Sequence, residues 1–148
     1  MPAITPKLKQ IKSFIVTGLS AETQNVDEFN EKTAKIPTLW QQFYASGLAA
    51  NTDIYGVYSD YESDAKGLYM LTVGLKSDSP KAQLSTITIE AGNYLIFSAK
   101  GSMPATVIET WKQIWAYFEK ENEYQRNFMT DFEIYQGALE VAIYIGVN

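Results

Sequence analysis

Apolar and β-branched side chains gather over residues 8–19 at Ile11, Phe14, Ile15 and Val16 and run to Gly18, which predicts a strand. Asn25 followed three residues later by Glu28 is a capping-box-like start for a short helical turn. Pro37 suits the first turn of a longer helix ending near Ser46-Gly47, with Trp40, Phe43 and Tyr44 spaced along one face. Ile54–Tyr58 and Gly67–Lys76 read as a hairpin across the polar loop Ser59–Lys66, and Lys76–Pro80 reads as a linker. The second half opens with Leu84–Ile89, turns at Ala91-Gly92-Asn93 and continues as Tyr94–Ala99. Gly101-Ser102-Met103-Pro104 introduces the longest helix, to about Glu121, with Val107, Ile108, Trp111, Ile114, Trp115 and Phe118 as its apolar stripe. Polar residues 122–130 then connect to a closing hairpin, Asp131–Gln136 and Leu139–Val147, around Gly137-Ala138.

The order strand, helix, hairpin thus occurs twice, and the two occurrences echo each other. Ile36–Phe43 aligns with Val107–Ile114, keeping a tryptophan (Trp40, Trp111) and the glutamine two residues on. Gly56-Val57-Tyr58 aligns with Glu133-Ile134-Tyr135, and Leu71–Leu75 with Ile143–Val147. These are halves, about 8–76 and 82–148, of one α+β domain spanning 1–148. A duplication of this kind implies two strand-helix-strand-strand units about a pseudo-twofold axis, with a ligand cleft at their seam. At one matched position the first half carries Gly56 and the second Glu133, an acid facing space.

Strand parity sharpens that glutamate. If Gly137-Ala138 is a two-residue turn, Tyr135 faces Glu140 and Glu133 faces Ala142. Phe132, Ile134, Val141, Ile143 and Ile145 then share a core face, and Glu133, Tyr135, Ala142 and Tyr144 share the other. A three-residue turn breaks this assignment. On the residues alone, Glu133 is open between an exposed strand position, a partner for Arg126 or a lysine, and the acid of a polar pocket. Trp111, Trp115 and Phe118 are open between helix core and ligand contacts, and Trp40 likewise.

Composition narrows the chemistry. The 148 residues are 46% hydrophobic and 20% charged, enough for one domain with a substantial core. Ten tyrosines, seven phenylalanines and three tryptophans exceed what a plain core of this size needs. A net charge of -5 argues against nucleic acid as a partner and favours a cation. Without cysteine or histidine, thiolate and imidazole zinc sites and Ser–His–Asp triads are excluded, so any catalysis falls to carboxylates, tyrosines, lysines or water. Asp60, Glu62 and Asp64 lack the further ligands of a calcium loop and read as a solvated turn. No metal, cofactor or catalytic residue is assigned. The N-terminal residues have no signal-peptide core and no run approaches membrane-spanning length, so the expectation is a soluble, cytoplasmic protein without a membrane partner.

Ile36–Phe43, the Tyr55–Tyr58 strand, the Ile89–Tyr94 turn, Trp111 with Trp115, and Asp131–Tyr135 together resemble the GyrI-like effector-binding domain, the C-terminal half of many AraC-type and MerR-type multidrug-responsive regulators. The resemblance covers nearly the whole chain and is strongest to free-standing members, including those on integron gene cassettes. It implies a duplicated, SH2-like split arrangement whose cleft binds cationic, lipophilic aromatic compounds. The family's buried glutamate matches Glu133, with Tyr135 beside it on the strand. Gly56, Trp40, Tyr58, Tyr69, Trp111, Trp115 and Tyr144 are the remaining candidate ligand contacts. No helix-turn-helix region is present, so direct DNA binding is not expected. The resemblance leaves two other functions open: hydrolysis of reactive cyclopropane-bearing toxins, and inhibition of a protein partner such as DNA gyrase.

Overall fold

Alternating apolar positions draw the strands of this chain into one antiparallel sheet, and two amphipathic helices cover part of it. The structure, a computed structural model, describes residues 6–28, 32–46, 53–62, 67–77, 84–103, 105–120, 124–137 and 139–148. In chain order the elements are β1 (Lys7–Ile11), β2 (Phe14–Thr23), α1 (Asn25–Glu28), α2 (Ile36–Ala45), β3 (Ile54–Ser59), β4 (Tyr69–Ser77), β5 (Ser85–Ile89), β6 (Gly92–Lys100), α3 (Ala105–Glu119), β7 (Arg126–Tyr135) and β8 (Glu140–Val147). Across the sheet the strands run β1-β6-β8-β7-β3-β4-β2-β5, so β7 and β3 lie side by side at its middle. The α+β expectation holds. Gly47, Asp64, residues 78–80 of the expected linker, Pro104 and Ala138 lie outside the described residues.

Three local expectations are corrected. The single strand over 8–19 is two strands, separated at Lys12-Ser13. β1 pairs with β6, whereas β2 continues past Gly18 to Thr23 between β4 and β5. Gly18 is therefore not a strand end. It sits opposite Gly74, where a Cβ on Gly18 would lie 2.0 Å from the Val73 carbonyl oxygen and one on Gly74 2.2 Å from that of Thr17. Likewise β7 begins at Arg126, inside what reads as a polar connector, and crosses a register irregularity before Asp131.

The third correction concerns parity. The closing hairpin has a three-residue connection, with the Gln136 N–H donating to the Glu140 carbonyl, and Glu133 pairs with Ile143, Ile134 with Ala142 and Phe132 with Tyr144. One extra turn residue exchanges the faces of β8 relative to β7. Glu133 and Tyr135 thus share their face with Val141, Ile143 and Ile145, which pack with Leu95 and Phe97 against Val107 and Ile114 of α3. Phe132, Ile134 and Tyr144 share the opposite face and pack with Val16, Tyr55, Val57, Ile89 and Tyr94.

The helices show narrower buried stripes than their apolar residues suggest. α2 buries Leu39 and Phe43 but leaves Tyr44 exposed, and α3 buries Val107, Thr110 and Ile114 but leaves Ile108 exposed. Leu39 and Phe43 pack on Tyr69, Leu71 and Val73 of β4. The N-terminus of α2 is satisfied by the Glu28 carboxylate, which accepts from Lys35 N at 2.9 Å and Ile36 N at 3.0 Å, a favourable place for an anion.

Gly18 and Gly74 cross with no room for a Cβ on either. Alanine at either position forces β2 and β4 apart, and urea unfolding should show a loss of about 2–4 kcal/mol for each variant. A loss below about 1 kcal/mol would show that the strands separate without strain.

Candidate functional site

Glu133 on β7 and Gly56 on β3 are direct register partners at the middle of the sheet. Because Gly56 has no side chain, the Glu133 carboxylate lies over it: a Cβ at position 56 would sit 3.0 Å from Glu133 Oε1 and 3.7 Å from Trp40 Cζ2. Glu133 is only 2% exposed. Its Oε2 accepts from the Tyr58 hydroxyl at 2.8 Å and from Trp111 Nε1 at 2.6 Å, and its Oε1 accepts from the Tyr135 hydroxyl at 2.7 Å. One carboxylate thereby ties β3, β7 and α3 together.

The rings around it come from both halves of the chain. Trp40 of α2 meets Tyr135 edge-on at 5.1 Å, and Trp111 of α3 meets Tyr58 edge-on at 5.2 Å. Tyr69 lies edge-on to Tyr58 at 5.5 Å and donates its hydroxyl to Asn25 Oδ1 at 2.9 Å, and Trp115 tilts against Trp111 at 6.1 Å. Of the sequence-derived candidates, Gly56, Tyr58, Trp111, Tyr135 and Trp40 gather at Glu133, with Tyr69 and Trp115 one ring further out. Tyr144 does not join them. It stacks on Phe132 at 4.5 Å on the opposite face, because the three-residue turn reverses the parity that would have put it beside Glu133. Tyr44, outside the expected set, stacks on Trp40 at 6.0 Å and remains exposed, so it forms an outer ring of the cluster.

The electrostatics follow from burial. Desolvation raises the Glu133 pKa above its ordinary 4.5, opposed by the hydrogen bonds from Trp111, Tyr135 and Tyr58, which favour the carboxylate. Burial, and then the charge of Glu133, push the Tyr58 and Tyr135 phenols well above their usual range, so both remain protonated donors. Arg126 is not the partner of Glu133. It pairs with Asp131 at 2.7 Å, the two side chains 7% and 0% exposed. Among the described residues no lysine or arginine forms an ion pair with Glu133.

Asp131 is what the sequence reading missed. It accepts from Arg126, from the Tyr61 hydroxyl and from the Gly146 N–H at 2.8 Å, so its charge is compensated where that of Glu133 is not. Its place two residues before Glu133 was a signal for a second inward acid. Reading Arg126 as part of a connector concealed the pair.

A model of the integron-associated effector binding protein family matches residues 7–147. YobU of Bacillus subtilis strain 168, named as a candidate transcriptional regulator, is 31% identical over 148 residues, covering 88% of this chain and 90% of its own. The integron cassette protein VCH_CASS2, from the mobile metagenome of Vibrio cholerae, has a structure similar at a TM-score of 0.86 with 37% identity, covering 97% of this chain and 95% of that one. The structure of SAV2435 bound to tetraphenylphosphonium has the same fold, with a TM-score of 0.78, 21% identity and coverage of 98% and 94%.

The raised pKa of Glu133 gives a pH-dependent stability of definite sign. A carboxyl that binds its proton more tightly folded than unfolded contributes stability below the ordinary value of 4.5, and that contribution is lost as pH rises through the raised value. The unfolding free energy of wild type minus that of Glu133→Gln should therefore grow on acidification from about pH 7.5 to about 4.5 in denaturant titrations. A difference that stays flat would mean the three donors cancel the burial.

Proposed function

The chain belongs to the integron-associated effector binding protein family, and on that premise we propose that the ring cluster around Glu133 binds cationic, lipophilic aromatic compounds, making the protein a sensor or sequestering module for them. The observation that carries this reading is a buried carboxylate with three neutral donors, no cationic partner among the described residues, and tryptophan and tyrosine rings from α2, α3, β3 and β7 around it. Such a group lacks its complementary charge, and a bound cation supplies it. Each ring face offered to that cation contributes about 0.5–2 kcal/mol, so several rings and one charge give affinity without close shape fit. SAV2435, of the same fold, is bound to just such a cation.

In this reading Glu133 neutralises the ligand, Tyr135, Tyr58 and Trp111 release their hydrogen bonds to it, and Trp40, Tyr69 and Trp115 supply stacking surface. Gly56 leaves room above the sheet for the Glu133 carboxylate. Tyr144, on the other face, has no part. The halves contribute as a pseudo-twofold pair: from the middle outward the sheet runs β7 and β3, β8 and β4, β6 and β2, then β1 and β5, as a duplication would give. The matched rings also cross over, Trp40 meeting Tyr135 and Trp111 meeting Tyr58 at nearly equal distances. Binding is favoured over hydrolysis because three donors already engage both oxygens of Glu133, leaving it poorly placed to take a proton from water.

Tryptophan fluorescence titration with tetraphenylphosphonium tests this. Saturable quenching is expected, strengthening as pH rises through the raised Glu133 pKa because the charged form binds the cation, and absent with neutral triphenylphosphine oxide. Glu133→Gln should lose at least about 2 kcal/mol, or thirtyfold, of affinity while remaining folded. If the variant binds the cation as tightly as wild type, the pocket-acid reading is wrong.

A further inference from the structure

On the side of the sheet away from Glu133, a cavity of about 230 Å³ opens where the end of β3, the edge strand β5 and the irregular start of β7 meet. Ser59 and Thr130 line it and continue the alternation of Tyr55 and Val57 and of Phe132 and Ile134, which point away from the Glu133 cluster. Ser59 is 2% exposed and its Oγ has no hydrogen-bond partner among the described residues. A buried hydroxyl left unmatched is costly, and its position at a cavity marks where a ligand atom would meet it.

The remaining lining defines what that atom belongs to. Asp60 and Glu90 are exposed residues of the same wall, and neither forms an ion pair with any described cation. Tyr61 and Phe128 add aromatic surface. The Arg126 guanidinium lies 4.4 Å from the Phe128 ring centroid, but Asp131 neutralises it, so the uncompensated charge is that of the two carboxylates. The wall is set in advance: Thr130 Oγ1 accepts from Glu90 N at 3.1 Å and lies 2.7 Å from the Tyr94 hydroxyl. Asp60 and Phe128, at φ 51° and 53°, are the non-glycine residues of positive φ in the described chain, and both line this cavity. Such backbone persists only where its surroundings hold it, and it clusters at binding sites.

The geometry points to a second binding site here, for a small primary ammonium compound. An alkylammonium has three donors and no acceptor, which matches two carboxylates and an unpartnered hydroxyl. An anion would meet two like charges. The volume of about 230 Å³ lies below the range of about 300–1,000 Å³ typical of drug-sized ligands, so the site suits a small cation.

A ¹H–¹⁵N NMR titration of the full chain with n-propylammonium chloride, against n-propanol and potassium chloride at equal concentration, tests the proposal. Saturable shifts are expected at the amides of Ser59–Tyr61 and Phe128–Thr130, absent with either control. The Asp60→Asn/Glu90→Gln double variant should bind at least about tenfold more weakly, and Ser59→Ala about threefold. Glu133→Gln should keep the wild-type midpoint, so failure of the cationic-drug reading leaves this result untouched. Linear shifts without saturation, equal shifts with propanol or potassium chloride, an unchanged midpoint in the double variant, or shifts centred on Tyr58 and Trp111 would each overturn it.

Discussion

A carboxylate buried between the two central strands is the constraint on which the middle of this fold depends. Taking an isolated carboxylate out of water costs several kcal/mol unless donors meet it. Three do, one each from β3, α3 and β7. The side chains that satisfy Glu133 are also those that fix α3 and β3 against β7, so the need to solvate one charge orders the surrounding rings. The glycine opposite is part of the same requirement: any side chain at position 56 would press on the carboxylate oxygen.

The two inward acids of β7 illustrate different solutions to one problem. Asp131 is fully buried beside Arg126 and a backbone N–H, a compensated pair that serves the fold. Among the described residues Glu133 has only neutral donors, which lower its cost without cancelling its charge. A residue left in that condition is able to respond to a cation, which a paired one is not. Surrounding phenols with raised pKa values strengthen the contrast, since they remain donors and do not themselves become charged.

The sheet also separates chemistries by face. Alternation along β3 and β7 sends Gly56, Tyr58, Glu133 and Tyr135 toward the helices, and Tyr55, Val57, Phe132 and Ile134 to the other side. On that second side Ser59 and Thr130 line the cavity beyond the apolar packing. A single strand pair thus supplies residues to two environments, with Tyr61, which lines the cavity and packs on Tyr69, between them.

The elements, the echo between Gly56 and Glu133, and most of the aromatic cluster were legible in the sequence, because 3.6-residue and two-residue periodicities and the repeated tryptophan are local signals. A chain without histidine or cysteine also restricted the chemistry before any fold was known. Three things were decided only in three dimensions. The length of the 137–139 connection set the register of β8, moving Tyr144 away from Glu133, since one residue of slip reverses every side chain of a strand. The split at Lys12-Ser13 and the glycine crossing of β2 with β4 depend on pairing partners distant in sequence. The assignment of Arg126 to Asp131, which leaves Glu133 without a cation among the described residues, required the irregular pairing of β7 with β8, for which no local pattern exists. Sequence determined which residues were available to meet a charge; tertiary structure decided which charge was met, because the register irregularity within β7, set by its pairing with β8, brings Arg126 to Asp131 and not to Glu133.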